Sequence, residues 1–428
     1  MREGTAHVVG AGLAGLSAAV RLTAAGVRTI VHEAAAAAGG RCRSFFDPAV
    51  GAEIDNGNHL VLSGNRAALD YLGLIGASER LSGPGAALFD FADLRTGERW
   101  RLHPNEGRAP WWLLDRTRRA PGASLKEYFA PLALFWSSAG ATVEAAMRCD
   151  GALYERLWRP ILLAGLNTEP KESSVSLAGA LIRETLGGGG KACRPLTASE
   201  GLSPIFVDPA VRFIARSGGT VRLGERLRDI RFAADRAVAL DFESASVSLG
   251  RDDAVIVAVP PWAAEALLPG IEAPNAFRGI VNAHFRVAAP EGHPPILGVI
   301  GGRTQWLFAY RDRLSVTISA AGELLDWPRE ALAESIWSEV AALTGLGGAL
   351  PPWRIVKERR ATFAATPDQD ARRPRTRTRW SNVFLAGDWV QTGLPATIEG
   401  AVRSGAEAAG AVVATAAKRQ IFAEGALP

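Results

Sequence analysis

The chain has 428 residues, of which 48% are hydrophobic and 21% charged, a globular balance that excludes disordered and fibrous proteins. This length is sufficient for two packed domains. Forty-eight Lys and Arg residues against 44 Asp and Glu give a net charge of +4, an excess too small and too evenly spread to predict nucleic acid as a partner.

The cysteines and the N-terminal segment indicate the cellular compartment in which the protein is expected to be found. Cys42, Cys149 and Cys193 match neither a disulfide framework nor a zinc site, so we expect no metal centre and a reducing, cytoplasmic location. The apolar stretch from His7 to Val20 is broken by glycines and lacks a basic leader, which predicts a folded segment and not a signal peptide. No apolar run reaches the ~18 to 20 residues that cross a bilayer as a helix, so any membrane contact is expected to be peripheral.

Three separated segments have the pattern of an α/β nucleotide-binding domain. The first 45 residues read as strand, glycine turn, helix and strand. Residues 204–261 predict a helix at 206–216 and strands at 220–223, 227–232, 237–242 and 254–259, which could complete the same sheet. Residues 382–390 predict a buried strand and a loop, and a helix rich in small residues follows them.

Two stretches with different sequence patterns lie between these segments. Leu, Trp and Arg at helical spacing predict a helical lobe over 71–200, whereas β-like runs around one amphipathic helix from Pro328 to Leu343 predict a sheet lobe over 271–375. The domain prediction is therefore a nucleotide-binding unit of residues 1–70, 201–270 and 376–428, with a second domain built from the two lobes. The Arg-rich tract 372–379 is predicted to be a surface loop.

The clearest motif is a glycine fingerprint. Gly10, Gly12 and Gly15 follow an apolar strand and open a helix, and Glu33 ends the next strand. This spacing suits a tight turn, close approach of a pyrophosphate and close helix packing, with the helix N-terminus facing the phosphates. Glu33 can accept hydrogen bonds from a ribose 2′-hydroxyl, which disfavours NADP. The pattern predicts a dinucleotide but does not distinguish NAD from FAD.

Later motifs distinguish them. Gly39 and Gly40 allow the chain to turn close to a cofactor, Arg41 or Arg43 can pair with phosphate oxygens, and FLAGDW places Asp388 after a buried strand. With the glycine fingerprint, GTVRLGERLRDI and AVIVAVPP, these motifs resemble the FAD-dependent amine oxidase and phytoene desaturase superfamily in order and over nearly the whole chain. The resemblance implies an α/β, Rossmann-like FAD-binding domain of discontinuous segments with a second α+β substrate domain.

Cofactor contacts are carried over by that resemblance alone. Glu33 would bind the adenosine ribose, Arg41 the pyrophosphate region and the backbone around Leu227 the adenine. Asp388 would meet the ribityl chain or pyrophosphate, with Thr397 and Ile398 near the flavin ring. The remaining cofactor-binding candidates are Gly10, Gly12, Leu13, Ala14, Gly15, Gly39, Gly40, Asn58 and Gly387. We see no separate NAD(P)H domain, so the electron donor, still unknown, must visit the site or act through another protein.

A narrower resemblance lies at residues 54–72, IDNGNHLVLSGNRAALDYL. This segment resembles the hydroxysqualene dehydroxylases, flavoenzymes of bacterial hopanoid biosynthesis. The resemblance implies that hydride from reduced FAD replaces the allylic hydroxyl of hydroxysqualene, giving squalene. The alternatives are a carotenoid (phytoene-type) desaturase or flavin amine oxidase, and, outside enzymes, an escort protein that binds prenylated partners without flavin.

Loss of an allylic hydroxyl requires a proton donor or electrostatic assistance in a dry pocket. Asp55 and His59 are the candidate catalytic residues, because both lie in the loop expected near the flavin and an imidazole can protonate near neutral pH. The alternatives are a turn aspartate that satisfies its own backbone and a histidine that fixes the loop. Lys357 is either a flavin-proximal lysine, as in amine oxidases, or a surface lysine.

A long hydrocarbon substrate predicts an apolar tunnel that opens toward lipid. Residues 99–119 combine tryptophan, leucine and arginine, which suits peripheral contact with the inner face of the membrane. Equally, Trp100, Trp111 and Trp112 could pack under the helical lobe while the arginines are solvated.

Overall fold

The computed structural model describes residues 4–424, with side chains described as far as residue 417. The strands are β1 Thr5–Val9, β2 Arg28–Glu33, β3 Ser44–Asp47, β4 Ala52–Asp55, β5 Leu60–Leu62, β6 Phe89–Asp93, β7 Arg99–Leu102, β8 Pro195–Thr197, β9 Thr220–Leu223, β10 Leu227–Ala233, β11 Arg236–Phe242, β12 Ser246–Ser248, β13 Ala254–Val257, β14 Phe277–Phe285, β15 Ile296–Ile300, β16 Trp306–Ala309, β17 Leu314–Ile318, β18 Trp353–Phe363 and β19 Val383–Leu385. The helices are α1 Leu13–Ala24, α2 Arg66–Ile75, α3 Val143–Ala146, α4 Arg159–Leu166, α5 Val175–Glu184, α6 Asp208–Arg216, α7 Pro261–Leu267, α8 Arg329–Thr344, α9 Pro367–Ala371 and α10 Ile398–Glu424. Short 3₁₀ and π segments lie mainly between residues 78 and 207.

A parallel five-stranded sheet gathers strands from three distant parts of the chain, in the order β19-β13-β1-β2-β9. Val8 lies opposite Ile256 and Val31 in the registers of β1 with β13 and β2. Neighbouring residues point to opposite faces, so Val8 packs in the core with α1 and α10, while Val9 packs in the core on the other side. Near-continuous apolar strands of this kind are typical of a parallel sheet covered on both faces.

The middle of the 204–261 segment does not join that sheet. β9 and β13 complete it as predicted, but β10, β11 and β12 form a separate antiparallel three-stranded sheet. Ile230 and Leu240 from this small sheet lie in the same core as Val255 and Val257 of β13. The small sheet therefore covers the face of the parallel sheet opposite to α1 and α10.

The second large sheet has seven strands in the order β18-β14-β17-β16-β15-β6-β7. Its last two strands come from residues 89–102, inside the segment predicted to be a helical lobe, so that prediction is wrong for this hairpin. The physical reason is period-2 burial: Trp100 and Leu102 are buried while Arg99 and Arg101 are exposed. β6 then pairs in parallel with β15, about 200 residues downstream, which local spacing cannot reveal.

Alternation on β14 and β17 gives the seven-stranded sheet one apolar and one polar face. Val281, Ala283 and Phe285 pack in the core that contains α8. The residues between them, and those facing them on β17, form a polar row on the opposite face: Asn282, His284, Ser315 and Thr317. Within the described residues, none of the helices combines the length and apolar character required to cross a membrane.

Candidate active site

The glycine fingerprint folds as its spacing predicts. Gly10 has a φ of +105°, and its N–H donates to the carbonyl of His32 over 2.7 Å, tying the turn to β2. A Cβ on Gly15 would collide with the carbonyl of Gly10, so this glycine lets α1 start against the turn. A Cβ on Gly12 would meet no protein atom within 4 Å. Gly12 therefore presents open backbone at the start of α1, where Leu13 and Ala14 are buried beneath it.

Glu33 lies at the carboxyl end of β2, beside that turn. Its Oε2 accepts from the N–H of Ala11 over 2.7 Å, and its Oε1 accepts from the N–H of Ala35 over 2.8 Å. The N–H of Glu225 donates to the carbonyl of Glu33 over 2.8 Å, which brings the start of β10 at Leu227 to the same corner. Glu33 and Leu227, predicted to contact adenosine, are thus brought close together, although 194 residues separate them.

The Gly-Gly-Arg turn lies against the fingerprint. The N–H of Gly39 donates to the carbonyl of Ala11 over 2.8 Å, and a Cβ on Gly40 would lie 3.4 Å from the Cα of Gly12. Arg41 then donates to the Oδ1 of Asp388 over 2.7 Å and to the carbonyl of Ala361. The turn therefore connects the first segment to the last one and to β18.

Asp388 is largely buried in the loop after β19. The preceding Gly387 donates its N–H to the Ser404 hydroxyl of α10 over 2.8 Å, and a Cβ there would collide with the Trp389 ring. Thr397 precedes the first residue of α10, and its hydroxyl accepts from the N–H of Gly400 over 3.0 Å, which caps the helix. Ile398 is partly accessible at that helix start.

Arg373 is a supporting residue that the sequence did not reveal. The tract 372–379 was predicted to be a surface loop, but the side chain of Arg373 is fully buried and pairs with Asp370 over 3.1 Å. It donates to the carbonyls of Asp388 at 3.3 Å and Val390 at 2.7 Å, and burial lowers its pKa. It holds the loop that carries Asp388. An arginine-rich run gives no sign of which member turns inward.

These residues fit an adenine dinucleotide. Gly12 and the Gly39–Gly40 turn leave a side-chain-free surface at a helix N-terminus, which is the arrangement that admits a pyrophosphate. Glu33 supplies an acceptor at the end of β2, and Arg41 supplies a cation whose side chain remains 45% exposed. The cofactor contacts of individual residues remain predictions.

Asp55 is not an open acid. It is 2% exposed, and its Oδ1 accepts from the Ser44 hydroxyl over 2.6 Å and from the N–H of Leu202 over 2.9 Å. Its Oδ2 lies 4.0 Å from the guanidinium of Arg313. Burial raises the pKa of Asp55, while these donors and Arg313 oppose that rise. The Asp55 carboxyl group thus links Ser44, Leu202 and Arg313, which favours a role in positioning these residues over direct proton transfer.

His59 differs from Asp55 because its imidazole is free. No hydrogen-bond partner for it occurs among residues 4–424, and the side chain is partly accessible. Burial, with a smaller effect from the charge of Arg41, lowers its pKa to about 4. The expectation of an imidazole that protonates near neutral pH is therefore wrong: at pH 7 it is neutral, with one N–H to donate and one nitrogen to accept.

Asn58, the residue before His59, forms a polar cluster with Tyr310 and Thr317. The Nδ2 of Asn58 donates to the Thr317 hydroxyl over 3.0 Å, and its Oδ1 accepts from the Tyr310 hydroxyl over 3.3 Å. Arg313 lies 4.2 Å from the Tyr310 ring centroid. The amide predicted to contact the cofactor is therefore engaged with the polar row of the seven-stranded sheet. Polar residues alternating with apolar ones in NAHF and LSVTI were the sequence signal for this cluster.

Two other candidates lie elsewhere. Lys357 donates to the carbonyls of Leu325, over 2.9 Å, and Trp327, which supports the surface alternative. In the 99–119 segment, Trp100 and Trp112 are buried, whereas Trp111 is 70% exposed. Trp100 and Trp112 thus follow the packing alternative, whereas Trp111 is available for contact with a membrane.

Comparison with known proteins gives consistent relatives. A family model described as flavin containing amine oxidoreductase matches residues 13–413. The chain is 53% identical to a hydroxysqualene dehydroxylase of Rhodopseudomonas palustris, covering 96% of this chain and 98% of that one. It is 25% identical to a 15-cis-phytoene desaturase of an Oncidium hybrid cultivar, covering 95% and 77%. The solved structure of cyclohexylamine oxidase from Brevibacterium oxydans matches with a TM-score of 0.70 at 16% identity, covering 97% and 99%, and confirms the predicted fold class.

Proposed function

The chain belongs to the flavin containing amine oxidoreductases and, within them, to the hydroxysqualene dehydroxylases, and from this membership we propose that it reductively removes the allylic hydroxyl of hydroxysqualene to give squalene. It is an FAD-dependent oxidoreductase. In the overall reaction a C–O bond breaks, a C–H bond forms, and the oxygen leaves as water after taking up a proton. Reduced FAD, when bound, supplies the hydride, and an external donor returns the two electrons.

One observation carries the assignment of roles: the imidazole of His59 has no protein hydrogen-bond partner in the described residues, is neutral at pH 7, and lies near enough to Arg41 of the Gly-Gly-Arg turn for that charge to lower its pKa. Directly after His59, Leu60 packs against the main core together with Phe89 and Tyr310, and the Phe308 ring stacks on Tyr310 with centroids 6.5 Å apart. These apolar and aromatic side chains, next to the polar groups of Asn58 and Tyr310, suit a hydrocarbon that carries one hydroxyl. We assign the His59 N–H to hydrogen bonding with the departing oxygen, and Asn58 to orienting Tyr310.

Cofactor binding is assigned to the residues of the first and last segments. Glu33 and the start of β10 at Leu227 would hold the adenosine, and the glycine turns with Arg41 the pyrophosphate. Asp388 and the start of α10 would lie toward the flavin. The corresponding FAD-binding domain comprises residues 1–70, 201–270 and 376–428, and residues 71–200 and 271–375 build the substrate domain, with the hairpin of β6 and β7 joining the second sheet.

Three alternatives make different predictions. A desaturase or amine oxidase would use the same cradle in the oxidative direction, and an escort protein would bind prenyl lipid without flavin. The side-chain-free surface at Gly12 and Gly40 argues against an escort protein, because it would have no occupant there. The 53% identity to a hydroxysqualene dehydroxylase, against 25% to a phytoene desaturase, favours the reductive reaction.

The reaction itself is tested with photoreduced holoprotein under anaerobic conditions. Adding detergent-dispersed hydroxysqualene should reoxidise the flavin, and squalene should appear in the lipid extract in proportion. Bleaching of oxidised flavin by phytoene or by an amine, without squalene from hydroxysqualene, would support the oxidative alternatives. A colourless protein that takes up no added FAD would support the escort alternative.

The substrate class also has a consequence for location. A long isoprenoid partitions into lipid, so we propose that the protein works in the cytoplasm at the inner face of a bacterial membrane, with peripheral contact through part of residues 99–119.

A further inference from the structure

Exposed apolar side chains are concentrated in one stretch of the chain. Six of the eleven large hydrophobic side chains exposed in the described part lie between residues 111 and 136. The most exposed are Trp136 at 79%, Trp111 at 70% and Leu114 at 70%, and the other three are Leu125, Phe129 and Leu132. Single exposed hydrophobics are ordinary, but a group of this size marks an interaction surface.

Packing explains why the six side chains form one surface. They lie on two 3₁₀ segments, Trp111–Leu114 and Leu125–Phe135, and at Trp136, which ends the second. The segments meet where the buried rings of Trp112 and Tyr128 touch edge to face, with centroids 5.6 Å apart. The Tyr128 hydroxyl also accepts from the N–H of Ala120 over 2.8 Å. Trp112 and Tyr128 therefore anchor both segments inward and leave their neighbours facing outward.

A basic cleft adjoins this apolar surface. The cleft has a volume of about 370 Å³ and is lined by His103, Arg118, Lys191 and Arg194, with Glu106 as its one carboxylate, and by Ala86, Ala87, Pro104, Asn105 and Gly190. Arg118 joins the two features, because it follows the first 3₁₀ segment and its Nε donates to the carbonyl of His103 over 2.9 Å. Lys191 and Arg194 are exposed. The cleft is thus a cationic site large enough for a phosphate group.

We propose that this combined surface docks the protein on an anionic phospholipid bilayer, with the six apolar side chains at headgroup depth and a lipid phosphate in the basic cleft. Tryptophan and leucine beside arginine and lysine are the side chains that bind at such an interface. The exposed cations Arg108, Arg116 and Lys126 flank the apolar surface and add to the attraction. The proposal extends the 99–119 prediction to residue 136 and removes Arg99 to Leu102 from it, since these residues form β7.

The apolar part is tested by sedimentation of the holoprotein with two kinds of vesicle, pure phosphatidylcholine and a mixture with phosphatidylglycerol. The triple variant Trp111→Ser, Leu114→Ser, Trp136→Ser should bind anionic vesicles at least about 10-fold more weakly than the unmodified protein. The matched control is Phe46→Ser with Leu223→Ser, which removes exposed apolar side chains elsewhere and should leave binding unchanged.

The basic cleft is tested separately by charge reversal. Lys191→Glu with Arg194→Glu should abolish the preference for phosphatidylglycerol, whereas Arg212→Glu with Arg216→Glu, on the exposed side of α6, should retain it. Equal losses in the test and control variants, or no binding of the unmodified protein at physiological salt, would overturn the proposal. A dimer that the triple variant converts to monomers, with unchanged vesicle binding, would assign the surface to a second copy instead. Squalene formation from detergent-dispersed substrate should persist in every variant. Failure of the docking proposal can therefore be told apart from failure of the proposed reaction.

Discussion

His59 has an imidazole without a protein partner, and its pKa is lowered to about 4. Such a group is neutral across the physiological range, so in the proposed mechanism it would donate an N–H and would not act as an imidazolium. An N–H directed at a departing oxygen in apolar surroundings is worth more than in water, because little solvent competes for it.

Replacing His59 with Ala should therefore lower the rate of squalene formation about 100-fold or more, while the flavin content of the purified protein stays unchanged. His59→Gln retains an N–H donor and should recover part of the rate. Between pH 5.5 and 7.5 the rate of the unmodified protein should not depend on the titration of His59. Its pH profile in this range should therefore have the same shape as that of His59→Gln. An unchanged rate in His59→Ala, with His103→Ala as the control, would remove His59 from the mechanism.

At the scale of elements, the turn between β1 and α1 contains two glycines with different proposed roles: Gly12 would leave room for the cofactor, and Gly15 allows close packing. Gly12 has an ordinary φ of −71° and open space where a Cβ would lie. Gly15 would place a Cβ into the carbonyl of Gly10. The same substitution at the two positions should thus affect different properties.

Gly12→Ala should leave the thermal unfolding of flavin-stripped protein within about 2 °C of the unmodified protein, yet weaken FAD binding at least about 10-fold, because the methyl group occupies the pyrophosphate approach. Gly15→Ala should lower the free energy of unfolding by about 1–3 kcal/mol through overpacking. Calorimetry of stripped proteins and FAD titration measure the two effects. Loss of stability in Gly12→Ala without a change in affinity would contradict the assignment.

For the whole molecule, buried neutral histidines link stability to pH. His7 belongs to β1, the central strand of the parallel sheet; its Nδ1 lies 3.1 Å from the Nε2 of His32, and burial lowers its pKa to about 4. His284, fully buried in the polar row, has a pKa lowered to about 3 for the same reason. The unfolded chain binds protons at these sites below about pH 6.5, whereas the folded chain does so only near pH 4 and below.

The free energy of unfolding should therefore fall as pH drops from about 6.5 to 4, by up to about 1.4 kcal/mol per pH unit for each such histidine. Urea unfolding at a series of pH values measures this slope. His7→Asn should reduce the slope, and His103→Asn, whose side chain is partly exposed, should change it much less. A slope that is unchanged in His7→Asn would show that His7 is not buried neutral in solution.

Much of the cofactor cradle followed from the sequence because it is built from local backbone geometry. Gly10, Gly15 and Gly39 have the conformations or close contacts that only glycine tolerates, so the spacing of these glycines predicts the turn directly. Arg373 and Tyr310 were missed for the opposite reason. Their roles arise from the folded chain: Tyr310 contacts Asn58 across 252 positions, and Arg373 folds back on the loop of Asp388, 15 positions ahead.

The sequence by itself determined the βαβ start, because glycine spacing and the acidic residue at the end of β2 are short-range features. The family and the cofactor followed from the resemblance of its motifs to those of known flavoenzymes. Only the tertiary structure decided which strands share a sheet, because β6 and β15 pair across roughly 200 residues through backbone hydrogen bonds that carry little sequence information. It also decided that His59 is neutral and Asp55 enclosed. Burial sets a pKa, and burial depends on neighbours that arrive from every part of the folded chain.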